Sequence, residues 1–256
     1  MKEIEIMEPL KRLLHDKIVA RLEPNKAVLI FGARRVGKTI LMRQIIKDYK
    51  GKTMLLNGED YDTLALLEEQ SIANYRHLLE GIDLLVIDEA QNVPSIGSKI
   101  KLMVDEIEGI RVIASGSSSF DLLNKAGEPL VGRSTQFQLM PFSQKEIAQR
   151  ETLLETRQNI ESRLIYGSYP EVVTIDSFDR KTDYLRDIVG AYLLKDILAI
   201  DGLKNSGKMK ELLRLIAFQL GNEVSYDELG KQEKRYPLFG KMLDIEWFPA
   251  PMRRQE

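Results

Sequence analysis

The residues best placed to do chemistry in this 256-residue chain are Gly32-Ala33-Arg34-Arg35-Val36-Gly37-Lys38-Thr39, which fit G-x-x-x-x-G-K-[ST], the phosphate-loop pattern. Glycines at 32 and 37 permit backbone angles that turn successive N–H groups around a phosphate. A helix starting here adds partial positive charge at the same point. Lys38 can then reach the β- and γ-phosphates as a point charge, and the Thr39 hydroxyl offers an oxygen to Mg²⁺. The expected nucleotide contacts run from Gly32 through Ala33, Arg34, Arg35, Val36, Gly37, Lys38 and Thr39 to Ile40. Arg34 and Arg35 occupy the variable positions, where side chains generally face outward. They read as surface or lid contacts, with phosphate binding as the alternative.

Leu84-Leu85-Val86-Ile87-Asp88 is an apolar run ending in an acid, the form of a Walker B element whose carboxylate holds Mg²⁺, often through water. Glu89 follows directly, and a second carboxylate here can point past the metal to orient or deprotonate the water that attacks the γ-phosphate. Thr39 and Asp88 are thus the expected metal-binding pair and Glu89 the expected catalytic base. A third apolar run ends as Ile113-Ala114-Ser115-Gly116-Ser117-Ser118-Ser119. If this strand lies between the other two, a polar side chain at its carboxyl end can hydrogen-bond the γ-phosphate or the attacking water. Ser115 is the first candidate and Ser117 the second; a Ser/Gly loop capping a following helix explains the segment equally well. Arg133 comes just before a candidate last strand, Thr135 to Leu139. It is either a source of transition-state charge, near an edge that a neighbour or lid could share, or a solvated turn arginine.

These groups need a scaffold that carries them to one place. Ala27-Val28-Leu29-Ile30-Phe31, Leu84 to Ile87 and Val112 to Ala114 are uncharged apolar runs of strand length, as expected of strands buried on both faces of a parallel sheet, with a weaker candidate at Thr53 to Leu56. Helical stretches at Ile40 to Tyr49 and Ile100 to Glu108 alternate with them, and residues 9 to 23 carry a leading amphipathic pattern that Pro24-Asn25 stops. The alternation predicts a doubly wound α/β domain with a parallel sheet. After about residue 140 the pattern is helical only, starting with a Ser143/Glu146 capping box and continuing through Asp183 to Ile200 and Met209 to Leu220. Ser225 and Glu228 repeat the box, and from Glu233 the periodicity collapses. The expected division is residues 1–140 as the core with its leading helix, 141–202 as a helical lid, and 203–256 as a partial winged-helix-like segment with an irregular tail.

Composition excludes several classes. There is no cysteine, which removes disulfide scaffolds, thiolate metal sites and cysteine nucleophiles, and the two histidines argue against histidine-rich metal chemistry. With 37 Lys plus Arg against 39 Asp plus Glu, the net charge of −2 gives no global field that would recruit nucleic acid or an acidic membrane. No apolar run approaches the roughly 20 residues of a membrane span, and Met1 to Met7 lacks the uninterrupted apolar core of a signal peptide. A cytoplasmic protein without membrane contact is the expectation.

With these residues in hand the chain resembles the AAA+ ATPases. More narrowly, it is similar to a bacterial and archaeal family of predicted AAA-type ATPases related to the archaeal P-loop ATPases of the signal-transduction type. The narrower likeness rests on Leu130 to Arg133, Pro141-Phe142-Ser143 to Ile147, Gly167 to Val172 and Leu194-Lys195-Asp196-Ile197, beside the generic Gly32 to Thr39, Leu84 to Gln91 and Ser115 to Ser119. The resemblance implies a P-loop NTPase of AAA+ type with a C-terminal all-helical subdomain, with ATP and Mg²⁺ as cofactors. Full-length members look like an ATPase followed by a winged helix and a domain resembling restriction endonucleases. Met209 to Gln232 looks like the start of that winged helix, and the departure beyond it predicts a truncated or frame-shifted member from which no nuclease function carries over.

The leading expectation is an ATP-hydrolysing switch or motor domain, with a homo-oligomer as a possible arrangement. The alternative is a nucleic-acid-binding adaptor in which nucleotide is regulatory. Residues 203–256 hold ten Lys plus Arg and eight Asp plus Glu, a net of +2, which supports only weak nucleic-acid contact.

Overall fold

The apolar runs assemble into one sheet because each can be satisfied only where both of its faces are covered. A computed structural model describes residues 9–117, 130–193 and Ala217. Its strands are β1 (Lys26–Phe31), β2 (Thr53–Asn57), β3 (Leu84–Asp88), β4 (Arg111–Gly116) and β5 (Ser134–Gln138), hydrogen-bonded in the order β2-β3-β4-β1-β5. Every neighbouring pair is parallel. All five residues of β3 are buried, as are all but the first of β1 and of β4, whereas the edge strands β2 and β5 are partly exposed. This is the burial expected when helices cover both faces of a parallel sheet.

Alternation along β1 sorts the core into two layers. Val28 and Ile30 face the side covered by α2 (Lys38–Asp48) through Leu41, Met42 and Ile45, together with Ile18 of α1 (Leu14–Val19). Ala27, Leu29 and Phe31 face the other side, where Leu67 of α3 (Tyr61–Glu68), Tyr75 of α4 (Ile72–Leu78) and Ile96, Ile100 and Met103 of α5 (Ile96–Glu106) pack. Each fully buried large side chain contributes on the order of 1.5–3 kcal/mol relative to exposure, so covering both faces is what selects this α/β arrangement. Lys99, buried on α5, donates to the carbonyls of Leu67 and Glu68 and so satisfies the end of α3.

Two local expectations change in the folded chain, and two short helices stand where none is expected. The leading helix is only Leu14–Val19; residues 9–12 stay outside it because the Arg12 side chain is bonded at long range to Val36, Met140 and Glu146. Between β2 and β3 stand α3 and α4, of eight and seven residues, too short for periodicity to announce them. Past the sheet, α6 (Gln144–Ile147) carries the expected Ser143/Glu146 capping box in full. The same signature at Thr152 and Glu155 opens the longer α7 (Leu153–Tyr166), followed by α8 (Pro170–Thr174) and α9 (Phe178–Ile188). The helix expected from Asp183 starts earlier, and α9 passes into a π-helical turn at Val189–Leu193.

The chain divides into two compact units, Met1–Phe178 and Asp179–Glu256. Residues 141–178, where the helical lid is expected to begin, fall within the first of these units, in which Glu146 and Met140 are tied to Arg12 ahead of β1. The segments Leu194 to Ile197, Met209 to Leu220, Ser225 to Glu228 and 233–256 lie outside the described residues, Ala217 excepted. No helix among the described residues is long and apolar enough to cross a membrane.

Candidate nucleotide site

In an all-parallel sheet the carboxyl ends of all strands share one edge. Register places the end of β1 at Phe31 beside Gly116, Ile87 of β3 beside Ala114, and Asn57 of β2 beside Asp88. Residues 32–37, Asp88, Glu89 and Ser115 therefore meet at that edge, with β4 between β1 and β3. Such an edge is where open α/β sheets bind ligands.

The loop needs both of its glycines. A Cβ on Gly32 would stand 2.5 Å from the carbonyl oxygen of Leu139 and 3.0 Å from Val36 Cγ1, so the backbone there passes too close to its neighbours for any side chain. Gly37 has φ +99° and sits immediately ahead of α2, whose N-terminus has no side-chain cap. The leading N–H groups of α2 are left without the usual capping side chain, and the helix dipole adds positive potential there. Lys38 is only 4% exposed, and its Nζ donates to the carbonyls of Gly32 at 2.9 Å and Ala33 at 3.2 Å, which holds the ammonium against the loop.

Thr39 and Asp88 are brought together: Thr39 Oγ1 donates to Asp88 Oδ2 at 2.5 Å. The other oxygen, Asp88 Oδ1, accepts from the Ser115 hydroxyl and from Glu89 N, the latter at 3.0 Å. Ser115 is fully buried, and its Oγ also accepts from Glu89 N at 3.2 Å. Its hydroxyl is thus placed to orient the aspartate and the turn that carries Glu89. Ser117 is described, while Ser118 and Ser119 lie outside the described residues. Glu89 adopts φ +47°, uncommon for a residue with a side chain, and is partly exposed. Buried Gln91 donates from Nε2 to Glu89 Oε2 at 2.5 Å.

The remaining candidates separate. Arg35 Nη1 is 3.3 Å from Glu171 Oε2 of α8, a contact with a helix beyond the sheet. Ile40 is an exposed residue of α2 whose backbone belongs to its first turn. Arg133 does not reach this chain's phosphate loop. Ala27 N donates to its carbonyl, and it precedes β5, so it lies at the amino edge of the sheet, roughly 16 Å of strand away from the site. There its Nε is 2.6 Å from Asp105 Oδ1, on the surface. A residue preceding a parallel strand falls on the edge opposite the ligand edge, and that direction decides the placement.

One buried cluster beside the loop escapes sequence reading. Arg12 and Glu146, both nearly buried, form an ion pair of 2.9 Å beneath the loop, and Arg12 Nη1 donates to Val36 O at 2.9 Å. Ser143 and Glu146 are legible as a capping box, but nothing local pairs Glu146 with a residue 134 positions earlier. Burial would raise the Glu146 carboxyl, yet hydrogen bonds from the Ser143 and Leu13 amides and from Arg12 outweigh it and hold the group below its ordinary value of 4.5. A depressed folded value contributes stability above the ordinary value that is lost as pH falls through the folded one. Melting temperature is therefore expected to fall as pH drops below the ordinary carboxylate value of 4.5 in the parent protein, and less steeply in Glu146→Gln. Parallel melting curves against pH would overturn the assignment.

The likeness to known proteins follows the same boundaries. Residues 24–148 match the family model of an AAA domain. The matched region contains all five strands and every residue of the loop, and its parallel sheet covered by helices is the α/β fold of P-loop NTPases. Residues 157–245 match a model described as a domain of unknown function. An uncharacterized protein of Methanocaldococcus jannaschii is 25% identical over 250 residues, covering 92% of this chain and 56% of that protein. Uncharacterized proteins of Mycobacterium bovis and Mycobacterium tuberculosis are each 24% identical over 225 residues, covering 87% of this chain and 46% of theirs. The chain spans about half the length of the curated relatives it matches.

Proposed function

We propose that the AAA-like region binds ATP with Mg²⁺ at Gly32–Ile40 and hydrolyses the β–γ phosphoanhydride, serving as a switch or motor domain. The observation that carries this reading is the meeting of the phosphate loop, the Thr39–Asp88 pair and Glu89 at one sheet edge.

The donor set suits Mg²⁺. Thr39 Oγ1 and Asp88 Oδ2 are hard oxygen donors in direct contact, and Mg²⁺ is usually held by one or two carboxylates plus substrate phosphates. Among the described residues no group of three or more histidine, aspartate and glutamate side chains could hold a metal ion alone. Held by Thr39 and Asp88, Mg²⁺ would neutralise negative charge on the phosphates. The close turn at Gly32 and the uncapped start of α2 offer N–H groups to phosphate oxygens, and Lys38 adds its charge beside them. Glu89 takes the proton from a water that attacks the γ-phosphorus while the bond to the bridging oxygen breaks and ADP leaves. Ser115 and Gln91 act as positioning residues, the first for Asp88 and the Glu89 backbone, the second for the Glu89 carboxylate. Arg133, on the opposite edge, could lend charge only to the nucleotide of a neighbouring copy.

The test is phosphate release from ATP with and without Mg²⁺, repeated with DNA and with RNA, alongside the protein's mass in ATP. Mg²⁺-dependent turnover without nucleic acid is expected. Tight ATP binding with no turnover would overturn the hydrolytic part and favour the adaptor reading.

A further inference from the structure

The chemistry of hydrolysis makes no use of Arg12, although its side chain is among the most heavily committed of the charged groups in the described residues. Its exposure is 5%, and its three nitrogens serve three partners far apart in sequence. Nε donates to Glu146 Oε1 at 2.9 Å, Nη1 to Val36 O at 2.9 Å, and Nη2 to Met140 O, while the guanidinium lies 4.7 Å from the centre of the Phe142 ring. Glu146 is equally engaged. Its Oε1 also accepts from Leu13 N at 2.8 Å, and its Oε2 accepts from Ser143 N at 2.8 Å and Ser143 Oγ at 3.0 Å. A buried ion pair gives little net stability over an apolar pair of the same volume, so stability alone is a weak reason for so elaborate an arrangement.

Val36 supplies a better one. Its carbonyl and the N–H of Gly37 belong to the same peptide plane and point in opposite directions. Fixing Val36 O toward Arg12 therefore fixes Gly37 N–H away from it. Gly37, at φ +99° and without a side chain, adds no side-chain contact of its own to hold that plane, which leaves the hold to buried Val36 and to Arg12. Arg12 Nη1 lies 3.5 Å from where a Gly37 Cβ would stand, so the guanidinium packs against the loop at the same position. Only a planar fork with separated donors can hold Val36 and Met140 while pairing Glu146; an ammonium is a point charge and cannot span them.

We propose that Arg12, held by Glu146, is a positioning residue for the phosphate loop: it sets the Val36–Gly37 peptide plane so that Gly37 N–H faces the phosphate, acting through the backbone and touching no reacting atom. The affinity part of this inference rests on the proposed nucleotide reading; the ordering of the loop does not.

The experiment compares the parent chain with Arg12→Lys, Arg12→Met and the double variant Arg12→Met/Glu146→Gln. Three quantities are read: melting temperature, affinity for a fluorescent ATP analogue in Mg²⁺, and hydrogen exchange at the amides of residues 33–38 without nucleotide. Arg12→Lys should keep most of the stability, since its ammonium can stay with Glu146, yet bind the analogue about tenfold more weakly and exchange the loop amides faster. Arg12→Met should melt lower because it strands the buried carboxylate, and the double variant should regain that stability without regaining affinity. A merely structural pair predicts the reverse, with affinity recovering together with melting temperature, and that result would overturn the proposal. Parent-like loop exchange in Arg12→Lys would overturn it as well, whatever the protein binds. A parent chain that fails to bind the analogue while Arg12→Lys still loosens the loop would sink the nucleotide reading and leave Arg12 as the loop's positioning residue.

Discussion

Lys38→Ala is expected to lower affinity for a fluorescent ATP analogue in Mg²⁺ by roughly 100-fold or more, given ~1.5–3 kcal/mol for each hydrogen bond to a charged group and contacts to two phosphates. The effect has two sources. The ammonium proposed to meet the β- and γ-phosphates is lost, and so are its bonds to the Gly32 and Ala33 carbonyls that hold it against the loop. No other described lysine is buried against the loop, so the charge cannot be made up locally. A melting curve close to the parent's separates lost binding from lost folding, because the layers on either side of the sheet do not depend on this side chain. Equal affinity of mutant and parent would remove the phosphate loop from the mechanism.

Glu89→Gln should leave nucleotide affinity nearly unchanged and slow turnover by about 10²–10⁴-fold, the usual contribution of a positioned general base. The amide has the size of the carboxylate but cannot take the proton from water. Its backbone remains tied by Glu89 N to Asp88 Oδ1 and Ser115 Oγ, so the substitution does not disturb the Thr39–Asp88 pair. Phosphate release and analogue binding measured on one preparation decide the matter. Unchanged turnover would move the role to another group, and loss of binding would show that Glu89 acts on the loop or the metal instead.

Much of this site was legible because its signals are local. Gly32 to Thr39 is a contiguous pattern whose parts act through the backbone they belong to, and the runs at 27–31, 84–87 and 112–114 announce buried strands by lacking any charge. Ser143 with Glu146 announces a helix start for the same reason, since a cap acts within one turn. The short α3 and α4 were not legible: neither runs long enough to establish a period, and they are held by packing of Leu67 and Tyr75 under the sheet.

The sequence by itself determined the phosphate loop, the acids at the end of the second buried run, the existence of a parallel sheet and the helical character of the described residues beyond β5, because each is written in neighbouring residues. Tertiary structure alone decided which of these groups meet. Strand order put Ser115 against Asp88 and Glu89, 27 and 26 positions apart in the chain. Strand direction carried Arg133 to the far edge, where it pairs with Asp105. Folding over 134 positions joined Arg12 to Glu146 beneath the loop, turning what reads as a polar position of a leading helix into a buried charge. The physical reason is the same in each case: a side chain's type fixes what it can bond, but a buried donor or acceptor must take whatever partner the chain topology brings within about 3 Å, and that partner leaves no mark in its own sequence neighbourhood.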